Sequence, residues 1–432
     1  MTATRSTSVR ISSRSSEIAR SLSDRWSEVN DPLTPTAQVP GSPTYARGVE
    51  FPEARPLERR NAGLLKWTRY GSDVLAAWVA EHDLGVPPEV TRRLRDLVDE
   101  NAYGYHDADN ELGGAFSRWA TSRHGWTPEP ELVVPTSNVL QGIWACIEAF
   151  TQPGDGLVYT TPVYPPFLDA PLTTGRRAVD WPMMCDEQGW SYDIDALEAL
   201  LEADAGISLL LLCSPHNPTG RLFQHHELVR IVDLAHEHDL LIVSDEIHSD
   251  IVYPGSTHVP TLTIPGAAAR TVTVTSGVKT FALGGLRCAV AVAGDDHLQA
   301  RLREIPAHLL GGANRMGCEA TITAWETGGT WVDSLLTLLD GHRRHLVGRL
   351  HSELPRIGVH LPDSTFLAWL DLGSFSPGEK AARWLRERTG VACGNGPAFG
   401  PGGRDHVRMT FGTTTTLLDE MVDRMVAGLI DQ

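Results

Sequence analysis

Six short runs of apolar and β-branched residues recur at 132–135, 157–160, 207–213, 240–244, 271–275 and 288–293. Segments with the apolar spacing of amphipathic helices lie among them, at 139–151, 194–202 and 225–238. Strands separated by helices make βαβ units, because parallel neighbours need a crossover rather than a tight turn. Runs such as Leu209-Leu210-Leu211-Leu212 are apolar at every position, which fits strands covered on both faces. The chain is therefore expected to be α/β, with a mostly parallel central sheet. The 432 residues exceed one ordinary domain. A large domain is expected at 85–310, and a smaller α+β domain at 311–432, where strand runs are sparser and helical patterns continue at 314–327 and 331–353. Residues 46–84 read as an N-terminal segment packing with the smaller domain. No internal repeat is visible.

Residues 1–45 differ in kind. Ser, Thr and Arg dominate, as in Ser12-Ser13-Arg14-Ser15-Ser16, and Pro32, Pro35, Pro40 and Pro43 break up the rest. This composition reads as a disordered, solvated extension with a short helix near 17–29. Its Arg/Ser-rich, acid-poor start also resembles an organelle transit peptide, while the lack of an apolar stretch speaks against a secretory signal.

Charge narrows the function classes. A formal net charge of −17 lacks the dense basic face that displaces counterions from nucleic acid, and it disfavours an anionic membrane surface. No apolar window is long enough to span a bilayer. The six cysteines are scattered, without C-x-x-C or zinc spacing, so no metal is expected and a reducing cytoplasm is the simplest home. Of the 37 basic residues only Lys66, Lys279 and Lys380 are lysine. Any lysine chemistry rests on one of these three.

Four segments carry candidate chemistry, mostly where open α/β sheets place their sites. The first is Cys213-Ser214-Pro215-His216-Asn217-Pro218-Thr219-Gly220, a turn whose Asn217 amide can donate to a ligand oxygen. The second is Ser244-Asp245-Glu246-Ile247-His248, closing a strand. Its acid reads either as a helix cap or as a buried carboxylate holding a protonated ring nitrogen. In the third, Lys279 is the one charge between Thr271 and Leu286, flanked by Ser276 and Arg287. Apolar surroundings lower a lysine pKa and suit it to Schiff-base formation. The fourth is Val407-Arg408-Met409-Thr410-Phe411-Gly412, where a guanidinium fork between apolar neighbours suits a carboxylate.

In order and relative position, Asn217, Asp245, Lys279 and Arg408 resemble the constellation of fold-type-I pyridoxal-phosphate enzymes. From about Lys66 onward the chain resembles the class I/II aminotransferase superfamily, and within it the cystathionine β-lyase-type C–S lyases. Collinear motifs carry the likeness: Lys66-Trp67 and Trp78-Val79-Ala80, Pro87-Pro88-Glu89-Val90, Tyr103-Gly104-Tyr105, Thr161-Pro162-Val163-Tyr164-Pro165-Pro166-Phe167, and Asp245-Glu246-Ile247-His248-Ser249-Asp250. The implied fold is an aminotransferase-like large domain plus a smaller α+β domain. The implied cofactor is pyridoxal 5′-phosphate.

The resemblance also implies roles. Lys279 bonds the cofactor and then moves the substrate α-proton. Asp245 holds the pyridinium N–H, Asn217 donates to the ring oxygen, and Tyr164, in a Pro-rich loop, stacks on the ring. Backbone N–H groups of Asn138 and Val139 cradle the phosphate, completed by Ser276 and Arg287. Tyr105 reaches the phosphate of a neighbouring subunit in a homodimer, and Arg408 grips the substrate carboxylate. His216 and His248 read as structural partners of their loops, and Cys213 and Cys288 as core thiols.

Three positions depart from the usual lyase pattern: Val278 before the lysine, Ser137-Asn138 in place of Pro-Gly, and Arg287, which is more typical of aminotransferases. The leading expectation is a β-lyase acting on L-cystathionine or another L-cysteine S-conjugate. An aminotransferase, a variant coupling decarboxylation or oxidation to the same chemistry, and a non-catalytic binding protein on the same fold are the alternatives.

Overall fold

The computed structural model describes residues 49, 51, 55–106, 109–306, 309 and 311–430. The expected extension at 1–45, with its short helix near 17–29, lies outside the described residues. Among the described residues, no helix is long and apolar enough to cross a membrane.

A seven-stranded sheet runs in the order β2 (Val133–Thr136), β10 (Ala289–Ala293), β9 (Thr271–Thr275), β8 (Leu241–Asp245), β7 (Ile207–Cys213), β3 (Gly156–Thr161) and β4 (Arg177–Pro182). The pairs β9·β8, β8·β7, β7·β3 and β3·β4 are parallel. β10 runs antiparallel to both of its neighbours. The fold is thus α/β with a mostly parallel sheet.

The leucine run in β7 shows why continuous apolar sequence was needed. Side chains alternate across a strand. Leu209, Leu211 and Cys213 enter one core with the helices Val139–Phe150 and Pro165–Thr173. Leu210 and Leu212 enter another with the helices Ile194–Ala203 and His225–Glu237. The strand is covered on both faces, and each fully buried leucine contributes about 1.5–3 kcal/mol. β3 splits the same way, with Leu157 and Tyr159 on one side and Val158 on the other.

A second sheet runs β1 (Leu75–Ala77), β13 (Val391–Asn395), β14 (His406–Thr410), β12 (Leu367–Asp371) and β11 (Gly358–Val359). β1 pairs parallel with β13, so a strand from the N-terminal part of the chain lies beside one from the C-terminal part. The helices Arg315–Thr327, Gly329–Glu353, Ala381–Thr389 and Thr415–Leu429 accompany the strands of this part. A short hairpin of β5 (Met184–Asp186) and β6 (Gly189–Ser191) stands apart.

One local reading is corrected in part. Tyr164 ends a short loop after β3 that contains Pro162, but Pro165 and Pro166 are not loop: they open the helix Pro165–Thr173, with Tyr164 at its N-cap. Proline fits there because the first helical N–H groups have no intrahelical acceptor.

The loop after β7 is locked to the C-terminal half at Gly220. Its φ is +74°, and an added Cβ would lie 2.6 Å from Pro362 Cβ and 2.9 Å from the Ser364 carbonyl oxygen. The Ser364 hydroxyl donates to the Gly220 carbonyl at 2.7 Å. Gly220→Ala is expected to lower stability by more than about 1 kcal/mol. The check is the denaturant midpoint at constant slope; an unmoved midpoint would show that the loop can relax.

Candidate active site

The carboxyl ends of β7, β8 and β9 open onto a cavity of about 520 Å³. Asn217, Asp245 and Lys279 reach it from loops and strand ends of the large sheet, and Arg408 from β14 of the second sheet. Tyr164, Asn138, Val139, Ser276 and Arg287 also border it. Nine of the ten residues singled out from sequence therefore meet in one place. Tyr105 does not: it lies on the connection after the helix Pro88–Asp99 and is fully exposed.

Arg408 is buried between Val407 and Met409, which point into the core. Its Nη1 donates to Asn217 Oδ1 at 3.0 Å and its Nη2 to the Trp78 carbonyl at 3.0 Å. Phe399 lies under the guanidinium, 5.0 Å from ring centre to Cζ. Nε is buried without a hydrogen-bond partner, and no acidic side chain among the described residues pairs with this cation. Burial lowers its pKa to about 10, so it stays charged at neutral pH. Because Asn217 accepts from Arg408 through Oδ1, its NH2 is left as the donor toward the cavity.

Lys279 follows β9, and its Nζ donates to the Ala80 carbonyl at 2.7 Å. Burial, with Arg408 nearby, lowers its pKa to about 8 against the opposing pull of Glu81 and Asp245. Asp245 ends β8 and accepts one backbone bond, from Ile247 N–H at 3.1 Å. Burial pushes its pKa up to about 7, opposed by that bond and by Lys279. A desolvated carboxyl with so few donors fits a cationic ring N–H.

The helix Val139–Phe150 points its start at the cavity. Asn138 caps it, accepting Gln141 N–H on Oδ1 at 3.0 Å. The first-turn N–H groups and the positive end of the helix dipole suit an anion. Arg287, exposed at the rim, has no acidic partner among the described residues and holds a left-handed φ of 54°. Ser276 is placed less simply. Its hydroxyl donates to the Cys288 carbonyl at 2.5 Å and accepts Val278 N–H at 3.2 Å. To donate to a phosphate it must first leave Cys288. The donor set as a whole fits pyridoxal phosphate: a lysine amine, a buried acid, an amide donor and an anion cradle.

Three contributors, Trp78, Ala80 and Phe399, had no assigned role in the sequence reading, and His248 had only a structural one. The carbonyls of Trp78 and Ala80 hold the two key cations, yet a backbone acceptor leaves no mark on residue type. Phe399 sits in Gly396-Pro397-Ala398-Phe399-Gly400, where an aromatic among turn residues was the available signal. His248 borders the cavity with Nδ1 unpartnered, and burial, then Lys279 and Arg408, hold it well below the ordinary histidine range. Tyr164 is kept a neutral phenol by burial, which raises its pKa.

In the cofactor-free protein, acylation of Lys279 is expected to rise with pH through a midpoint near 8, as the ammonium loses its proton. Peptide-resolved labelling across pH 6–11 measures it. A midpoint in the ordinary lysine range, near about 10.4, would contradict the desolvated placement.

A family model described as aminotransferase class I and II matches residues 75–425. A cystathionine beta-lyase of Bacillus subtilis is 31% identical over 381 residues, covering 86% of this chain and 98% of its own. That of Corynebacterium glutamicum is 33% identical over 384 residues, covering 88% and 100%. The crystal structure of cystalysin from Treponema denticola, which contains pyridoxal 5′-phosphate, matches with a TM-score of 0.84 at 27% identity, covering 89% of this chain and 100% of that one. With the lysine, the acid, the asparagine and the arginine gathered in one cavity, the chain belongs to the class I and II aminotransferase family of fold-type-I pyridoxal-phosphate enzymes, in its cystathionine β-lyase branch.

Proposed function

We propose that this chain is a pyridoxal-phosphate-dependent C–S β-lyase acting on L-cystathionine or another L-cysteine S-conjugate. The observation that carries the reading is the meeting, in one cavity, of a desolvated lysine and a buried guanidinium that has no carboxylate partner among the described residues. The lyase relatives support the choice of reaction. When bound, the cofactor supplies the electron sink that makes the substrate α-proton removable.

The protein's own groups do the rest. Lys279 holds the cofactor, with Asp245 at the ring nitrogen, Asn217 Nδ2 at the ring oxygen, and Tyr164 flanking the ring. The helix start at Asn138 and Val139, with Arg287 at the rim and Ser276 behind it, takes the phosphate. The Arg408 fork grips the substrate carboxylate and so fixes which bond at Cα faces the sink. Desolvation lowers the Lys279 pKa to about 8, so far more of its neutral amine is present near neutral pH than for an ordinary lysine, and that amine takes the α-proton at Nζ. The C–S bond then breaks with its electron pair going to sulfur. The released enamine hydrolyses to pyruvate and ammonia.

The domain reading is part of the same proposal: a large domain at 85–310 and a small one at 311–432 with 46–84, the site lying between their sheets. The pairing of β1 with β13 supports it. We also propose a cytoplasmic homodimer, with the exposed Tyr105 directed at the partner's phosphate site. The six free cysteines, five of them buried, are in keeping with a reducing compartment. Arg287 favours a second reading, an aminotransferase on the same scaffold.

One assay separates these. Purified holoprotein incubated with L-cystathionine and S-alkyl cysteines is expected to release thiol and pyruvate in equal amounts, with no 2-oxo acid added. A strict requirement for a 2-oxo acid identifies the aminotransferase. Oxygen uptake or CO2 release identifies the oxidative or decarboxylating variant, and no pyruvate or thiol across the panel defeats the lyase reading. Arg408→Ala removes two charge-assisted bonds and is expected to lower kcat/KM by roughly 100-fold or more.

A further inference from the structure

Two of the three lysines in this chain end on neighbouring carbonyls of one irregular segment. The segment follows β1 and runs from Trp78 to Asp83. Its carbonyl oxygens are taken by four cations. Arg408 Nη2 donates to Trp78 at 3.0 Å, Lys279 Nζ to Ala80 at 2.7 Å, Lys66 Nζ to Glu81 at 2.9 Å, and Arg59 Nη2 to Asp83 at 2.6 Å. Arg408 and Lys279 belong to the cavity. Lys66 does not border it.

Lys66 is nonetheless the best-anchored of the four. Its Nζ is 2.7 Å from Asp83 Oδ2, and the two side chains are 0% and 2% exposed. The other Asp83 oxygen accepts Trp67 Nε1–H at 2.9 Å, and Asp83 N–H donates to Gly412 O at 2.9 Å. Trp78 Nε1–H returns to the Lys66 carbonyl at 3.0 Å. The two ends of the segment are thus tied to the same lysine residue, Trp78 to its backbone and Asp83 to its ammonium. Residues 78–81 have no strand ladder or helix to hold them. A carbonyl positions a cation only as well as its own backbone is fixed.

We propose that the buried Lys66–Asp83 pair is a positioning device for the reaction. It fixes the Trp78 and Ala80 carbonyls. Through them it sets the aim of the Arg408 guanidinium at the substrate carboxylate and the place where the Lys279 ammonium is received once it carries the α-proton. The proposal rests on the reading of Arg408 as the carboxylate clamp.

The test uses holoenzyme and propionate, a carboxylate with no amine to react, titrated by calorimetry without turnover. Lys66→Met is expected to weaken propionate binding by about tenfold or more. Lys66→Arg, which keeps the charge, is expected to recover most of that loss. Lys380→Met, at an exposed lysine, serves as the control and leaves binding unchanged. The proposal is overturned if folded Lys66→Met melts at a lower temperature but binds propionate within about fivefold of the parent. It is also overturned if Lys66→Arg is no better than Lys66→Met, since packing alone then accounts for the effect. Should Lys66→Met not fold, Lys66→Met/Asp83→Leu removes the pair without stranding a charge and is judged by the same fivefold limit. Arg408→Ala is titrated alongside. If it leaves propionate binding intact, both the clamp and this inference fail; if pyruvate is absent while these shifts appear, the lyase reading alone fails.

Discussion

A guanidinium buried without a carboxylate is held at a substantial desolvation cost, and among the described residues Arg408, in the lining of the cavity, sits in that condition. Two hydrogen bonds, to Asn217 and to the Trp78 carbonyl, and the face of Phe399 offset part of the cost. The strand carrying it holds it in place, because Val407 and Met409 on either side are buried in the core. The cation then acts on its surroundings. It lies second only to burial in lowering the Lys279 pKa, and it contributes to keeping His248 neutral. It also takes one end of the Asn217 amide and so fixes which end faces the cavity. A substrate carboxylate would relieve the frustration of the guanidinium, which makes binding and alignment one event.

Asp245 and Glu246 show how finely the same burial can be turned to opposite ends. They are adjacent, both buried, and on opposite sides of the strand end. Asp245 faces the cavity with a single backbone donor, and burial raises its pKa to about 7. Glu246 turns away, and burial pushes it up as well. Against that, the nearby His258, then the Thr261 N–H and the Ser244 hydroxyl, outweigh desolvation and hold it below its ordinary range. One carboxylate is fully provided for and anchors the loop. The other is left under-provided and is ready for a cationic ring nitrogen. Structure and chemistry are divided between neighbours where the chain leaves β8.

Where side-chain type alone decides, the sequence was readable. Ile207–Cys213 and Thr271–Thr275 fall on the residues whose pattern marked them, because a doubly covered parallel strand requires an unbroken apolar or β-branched run. The small-sheet strands Leu367–Asp371 and Val391–Asn395 left weaker signals, the latter carrying Gly394 where Arg408 packs against the backbone. The prolines after Tyr164 were ambiguous for a physical reason: a loop and a helix start both welcome them. In the site, the residues with distinctive side chains were found, while the Trp78 and Ala80 carbonyls were not. Lys66-Trp67 was visible as a motif, but its link to the cavity runs through backbone acceptors, which no residue alphabet encodes.

That backbone link also explains how the site depends on chain order. Lys66 and the 78–83 segment come from the first fifth of the chain, Asn217, Asp245 and Lys279 from the large sheet, and Arg408 from near its end. β1 reaches Arg408 by pairing with β13, whose other neighbour β14 carries the arginine. Such contacts span most of the sequence, and loop closure on that scale opposes them until the large sheet is in place. The parallel sheet can form from local βαβ units. The Arg408 site cannot, because the guanidinium comes from near the end of the chain and its two acceptors from the first fifth and from the large sheet. Lys279 has the same dependence, since the Ala80 carbonyl to which it donates comes from the same early segment. Competence therefore reports on closure of the whole chain, and the buried pair at Lys66 and Asp83 stands where that closure is fastened.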